Sequence, residues 1–223
     1  MTDWMQGAGA ILSALAAGDS WMLSEALRHP VTWPLGLVVM LVGAALLLTV
    51  YRLVPLVEKY LEPTIMVVSY LAIGGIIFVE VFRRFVMEQQ AAWSTTLPPF
   101  LFLIMTWFGC SYNVKLRTHL AFAEFRNMMG RGGQMACLMF DAVLWIGFAW
   151  VVMVTAARVT ANSAANFQIM LGTDNTMQWW FLISVPLAFT TLVARVLENM
   201  GEDIAAYRAE APTLVRQAVI GGD

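Results

Sequence analysis

The sequence predicts an all-α integral membrane protein, a helical bundle of about five transmembrane helices, on three observations. The first is composition: of 223 residues, 60% are hydrophobic and 13% charged, with mean hydropathy +0.70. Soluble domains carry about 25% charged residues, and a soluble fold of this size cannot hide so much apolar surface. The second is the presence of segments long enough to cross a hydrocarbon core, which takes about 20 residues of helix. The third is punctuation: prolines open several of these segments, and tryptophans mark their ends as an aromatic belt does.

The first span reads Trp33 to Tyr51, with Pro34 in its opening turn, and the second Thr64 to Phe82, preceded by Pro63. The third runs Leu97 to Val114, the fourth Met135 to Ala157, and the fifth Met177 to Ala194, where Pro186 should kink the helix. Gly36 and Gly43 lie seven apart on one face of the first span, and Gly74-Gly75 interrupts the second; both patterns suit close helix packing. Residues 1–30 form a moderately apolar N-terminal extension whose run Ala8–Ala17 is too short to span, so it is expected to lie amphipathically on the external face. Asp3 and Asp19 stand where a signal peptide would be basic, and no cleaved signal is expected. Residues 31–200 form the transmembrane domain. The chain from Glu198 mixes charges with Pro212 and Gly221-Gly222, and 201–223 read as a partly helical cytoplasmic tail.

Orientation follows the distribution of Lys and Arg. With the N-terminus outside, Arg28, Arg83, Arg84 and Arg158 are external, four in all, against nine cytoplasmic cations. The N-terminus is therefore placed on the periplasmic side and the C-terminus in the cytoplasm.

Few residues suggest chemistry. Asp141, about six residues inside the fourth span, is the most expensive, since an ionised carboxylate there costs roughly 2.5–3.5 kcal/mol on insertion scales. It reads either as a proton or ion site or as a structural pair with Lys115, Arg117, Arg131 or another subunit; without a second acid, a His or a broken helix nearby, the structural reading is favoured. Arg83 and Arg84 close the second span where arginines snorkel to headgroups, and Glu80 lies on the same face within reach of a local pair. That cluster reads as an interfacial anchor or a partner-docking point, not a catalytic dyad. His29 and His119 fall at opposite membrane edges and cannot share a haem. Cys110 and Cys137 read as packing thiols, with no zinc spacing around them. Nucleophile, Walker and dinucleotide motifs are absent, so neither an enzyme nor a bound cofactor is expected. A net charge of −2 gives no support for nucleic-acid binding.

From Tyr70 to about Asn199 the chain resembles the DctQ-type small membrane subunit of TRAP transporters. The resemblance rests on "EVFRRF" closing one span, "WSTTL" with Trp93 in the next loop, and "WFGCSYNVKLRTHLAF", which carries Gly109, Lys115, Arg117 and His119. It ends with "GTDNTMQWWFLISVPLAFTTLVARVLEN", which supplies the pair Trp179-Trp180, Pro186 and Arg195. The family usually has acidic residues where Thr95 and Thr96 follow Trp-Ser here, and usually four spans, so the Trp33–Tyr51 helix is additional. The resemblance implies a small permease subunit in the bacterial inner membrane, paired with a large multi-helix (DctM-type) subunit and a periplasmic substrate-binding protein. It implies sodium-driven uptake of a carboxylate-bearing solute, with this chain as a non-catalytic scaffold contacting partner or lipid. The alternative reading is the membrane anchor subunit of a redox enzyme; a free-standing proton-coupled carrier would depend on Asp141.

Overall fold

The computed structural model describes residues 2–118, 126 and 128–210, and among these the regular structure is helical apart from one isolated bridge, Ile169 to Met177. Two short helices come first, α1 (Thr2–Ala17) and α2 (Ser20–Ala26). Asp19 caps α2: its Oδ1 accepts the N–H groups of Trp21 and Met22 at 2.9 and 3.0 Å, satisfying donors that a helix start otherwise leaves open. Next come α3 (Thr32–Leu53) and α4 (Pro55–Val86), joined through Val54 alone. A short 3-10 turn (Ala92–Thr95) leads into α5 (Leu97–Leu116), and α6 (Arg131–Ala165) follows. The last span is divided into α7 (Trp179–Leu182) and α8 (Ser184–Arg208).

Among the described residues, five helical stretches are long and apolar enough to cross a membrane: Thr32–Leu53, Pro55–Val86, Ala92–Leu116, Arg131–Ala165 and Trp179–Arg208. The fold is thus the all-α membrane bundle expected from the sequence. α8 stands at its centre, packed against α3, α5 and α6, while α4 leans on α5 and touches α3 lightly. Phe189 of α8 is the hub, with Trp107 of α5 at 4.8 Å and Phe148 of α6 at 5.7 Å between ring centroids, spacings at which aromatic pairs attract beyond their buried area. Met40 and Ala44 of α3, Ala149 of α6 and Leu192 and Val193 of α8 fill the remaining core.

Gly36 and Gly43 do what their spacing suggested. A Cβ on Gly36 would meet Val154 Cγ2 at 2.5 Å, and one on Gly43 would meet Thr190 Cγ2 at 3.0 Å, so α3 can approach α6 and α8 only because both side chains are missing. Gly74 and Gly75 behave otherwise. α4 runs through them unbroken, and a Cβ on either would meet nothing within 4 Å.

Three expectations about element ends change. Pro63, placed ahead of the second span, lies inside α4, which starts at its N1/N2 proline eight residues earlier. A proline removes one backbone donor from a helix interior; here the turn around it is held by side chains described below. Glu198, placed at the start of a soluble tail, is still within α8, which continues to Arg208 with Asp203 buried; residues 211–223 of the expected tail lie outside the described residues. The break of the last span falls at Ile183, one turn before Pro186, where the proline lacks the N–H that would bond the Leu182 carbonyl.

Candidate functional site

Two surfaces and one buried cluster concentrate the polar and the unpartnered chemistry of the bundle. The cluster forms where the C-terminal turn of α3, the first two turns of α4, the end of α5 and the middle of α8 meet. Arg195, wholly buried, is its hub. Its Nε donates to Glu62 Oε1 at 2.8 Å and Nη2 to Glu62 Oε2 at 3.0 Å, a bidentate pair with a second fully buried residue. Nη1 donates to Glu198 at 2.8 Å and to the Glu58 carboxylate at 3.3 Å, and Nη2 also reaches the Glu58 carbonyl at 2.7 Å. Tyr51 completes the cage: its ring lies 4.1 Å from the guanidinium carbon, and its hydroxyl donates to Glu62 Oε1 at 3.3 Å.

A guanidinium has five N–H donors in a fixed fork, and these contacts use all five. No donor remains for a passing anion, so the cluster works as a fastener. Lys115 extends it from α5, paired with the Glu58 carboxylate and donating to the Glu58 carbonyl at 2.8 Å. Two residues further along, Arg117 adopts a left-handed conformation (φ 55) that ends α5. It donates to Asp203 at 2.7 Å, Glu202 at 3.3 Å and the Asn199 carbonyl at 3.1 Å, while Asn199 Nδ2 returns a bond to the Val114 carbonyl.

At the other end of α4 the Glu80–arginine pair that helical spacing makes available is not what forms. The Glu80 carboxylate instead accepts the Ala91 N–H at 3.2 and 3.4 Å, capping the turn that carries Trp93; the chain folds back here, bringing an open backbone donor within reach. Arg83 is half-buried with its Nε shut away from any hydrogen-bond partner, and Arg84 is exposed. Trp93 is 36% exposed. The loop after α6 closes over this turn. Thr96 Oγ1 donates to the Leu171 carbonyl at 2.7 Å, and Gly172, at φ +79, has Ala92 C 2.4 Å from where a Cβ would stand. Trp179 and Trp180 follow, in edge-to-face contact at 6.2 Å, with Trp180 exposed.

The second surface is the outward side of α4. Val67, Leu71, Phe78, Phe82 and Phe85 recur at helical spacing, all more than half exposed, with Gly74 and Gly75 between them. Asp141 lies half-buried on α6 and has an interaction partner. The cations offered for it by the sequence have the engagements given above, and Arg131 donates to the Tyr207 carbonyl at 3.3 Å and lies over its ring. His119 lies outside the described residues.

Of the residues singled out from sequence, the structure brings Lys115, Arg117 and Arg195 to one end of the bundle and Glu80, Arg83, Arg84 and Trp93 to another. Tyr51, Glu58, Glu62, Glu198 and Asp203 were missed. The signals were present as Glu58 and Glu62 four apart on one helix, and Arg195 and Glu198 three apart on another; nothing local joins the two helices.

A family model described as tripartite ATP-independent periplasmic transporters, DctQ component, matches residues 73–206, well over half of the chain. Among curated proteins none matches. The match takes in α5, α6, α7, most of α8 and the second part of α4, and leaves α1, α2, α3 and the first turns of α4 outside it.

Proposed function

The chain belongs to the DctQ family of TRAP transporter components, a multi-pass inner-membrane protein, and from that premise we propose that it is a non-catalytic scaffold. In this reading it supports a large multi-helix subunit of a sodium-coupled carrier that takes up a carboxylate-type solute. The outward face of α4 is the docking surface for that subunit. Arg83, Arg84 and Trp93, at the periplasmic rim, help position the periplasmic binding protein. The N-terminus faces the periplasm and the C-terminus the cytoplasm.

The observation that carries this reading is the contrast within α4. One end is held in the Arg195 cluster, while the apolar stripe along its length is more than half exposed and the space beside Gly74 and Gly75 is empty. Gly74 and Gly75 leave room for another backbone, which is how membrane helices approach closely without a hydrophobic driving force. Arg83 Nε is a buried donor without an acceptor; a partner carboxylate or carbonyl would remove the cost of leaving it unmade. The scaffold role has separate support in the saturation of Arg195, since the largest polar group in the bundle interior is committed to holding helices together.

Reconstitution tests the proposal. Proteoliposomes holding this chain alone should pass no radiolabelled dicarboxylate, whereas those holding it with the large subunit and the binding protein should accumulate solute under an inward sodium gradient. Flux through the chain by itself, or full uptake by the other two components without it, would overturn the scaffold reading.

A further inference from the structure

At the end of the bundle that carries the N-terminal extension lies a cavity that the transport reading leaves unused. It is partly open, almost wholly apolar and about 610 Å3 in volume. Leu15 of α1 and Leu27 beside α2 roof it; Val39 of α3, Val154 and Ala161 of α6, and Ile183 wall it. The roof is fixed in place: the Leu27 carbonyl accepts from Thr32 Oγ1 and from Arg158 Nε, both at 2.8 Å. On the face of α1 that also carries the buried Ile11 and Ala14, Gly7 lets His29 approach to 2.7 Å of where a Cβ would stand.

We propose that this cavity holds one acyl chain of a membrane phospholipid, whose headgroup phosphate sits beside Arg158 and Arg28. The proposal rests on the chain spanning a bilayer and not on its role in transport. Val39 lies seven residues into α3, about 10 Å along the helix axis, so the floor of the cavity is at hydrocarbon depth. Val39 is itself 56% exposed, and at that depth the medium it meets is lipid. Water has no hold on such a space, because a buried water needs two to four polar partners. The volume is about four times that of a cavity that takes up benzene, enough for a long hydrocarbon chain.

Charge fixes which end of the lipid lies where. Arg158 stands at the roof, its guanidinium 5.3 Å from the Trp33 ring, and the Arg28 side chain, next to Leu27, is 70% exposed. The acidic side chains described beside the α2 helix are Asp19 and Glu25. The Asp19 oxygen that caps α2 is already engaged, and Glu25 meets Arg28 at 3.4 Å as an exposed pair, an arrangement that contributes little. Arginines at this level reach headgroup phosphates, so the site selects an anionic or zwitterionic phospholipid over a neutral lipid.

The test uses the full chain in nanodiscs with phosphatidylglycerol bearing a photoreactive diazirine on one acyl chain, and maps adducts by mass spectrometry. Adducts should concentrate on residues 35–39 and 154–161, above the level on residues 67–79 of α4, which reports ordinary surrounding lipid. Ala157→Phe and, separately, Leu35→Trp should lower cavity adducts about tenfold, the worth of roughly two buried methylenes, while α4 labelling stays constant and certifies the fold. Adducts spread as evenly over α4 as over the cavity would overturn the site. Equal cavity labelling by a diazirine diacylglycerol, which has no phosphate, would overturn the assignment to phospholipid.

Discussion

α4 and α8 are both long, both apolar and both span-like, yet the structure treats them oppositely. Half of the apolar window of α8 is buried inside the chain, against 6% of that of α4. α8 presents small and branched side chains to three neighbours at once: Val185, Ala188, Leu192, Val193 and Ala194 are all buried. α4 has mean hydropathy as high as any span, at 2.3, but its bulky residues point away from the bundle. In lipid, apolarity does not distinguish inside from outside, because the solvent is itself hydrocarbon. Packing is instead fixed by small residues and by polar groups with no other place to go, and α8 owns both.

The sharpest way to break that contrast is at its polar hub. Replacing Arg195 by Met leaves Glu62 buried without its cation, and loss of one partner from a buried pair costs about 3–5 kcal/mol. Thermal unfolding of the detergent-solubilised variant should fall well below that of the unmodified protein; an unchanged midpoint would mean that the cluster is not a fastener. Arg195→Lys should lie between the two, because an ammonium offers three donors where five acceptors wait.

Gly172→Ala comes next. It combines a positive φ with a Cβ 2.4 Å from backbone carbon, so roughly 1–3 kcal/mol should be lost. Limited proteolysis at residues 166–178 reads the loosening of that loop directly; resistance equal to the unmodified protein would refute the close approach. Gly36→Ala follows, at roughly 1–2 kcal/mol, since the Val154 methyl in the way belongs to a stiff, buried side chain that has to shift. Its midpoint should drop by several degrees, and an unchanged midpoint would mean that α3 does not approach α6 as closely as the distances imply. At the far end of the scale, Gly75→Ala should change stability by less than about 0.5 kcal/mol, because no atom stands within 4 Å. A large loss in the isolated chain would show that the α4 face packs internally.

Much of the fold was legible before any coordinates, because length and apolarity suffice to find a span. The first, third and fourth spans needed only extension at their ends. Gly36 and Gly43 were readable as close contacts because both fall on one helix face. Gly74-Gly75 carried the same local signal and had the opposite meaning within the chain, since sequence does not tell which face a neighbour takes. The Arg195 cluster was illegible for a related reason. Glu62 and Arg195 are separated by 133 residues, and Pro63 carries the local signal of a helix start although the turn that holds the acids precedes it in the same helix. Its position is informative: Tyr51, Glu58 and Glu62 fall outside the family match and Arg195 within it, so the cluster fastens the end of α3 and the first turns of α4 to the helices the match covers.

The measurement that bears most directly on the scaffold account is recovery of the large subunit on the affinity-tagged chain after co-expression. Recovery is compared between Gly75→Trp on α4 and Val143→Trp on the exposed side of α6. The account expects the α6 variant to bring down the large subunit as the unmodified chain does, and the α4 variant to lose it while remaining folded. Equal recovery by both, or loss with the α6 variant alone, would contradict it.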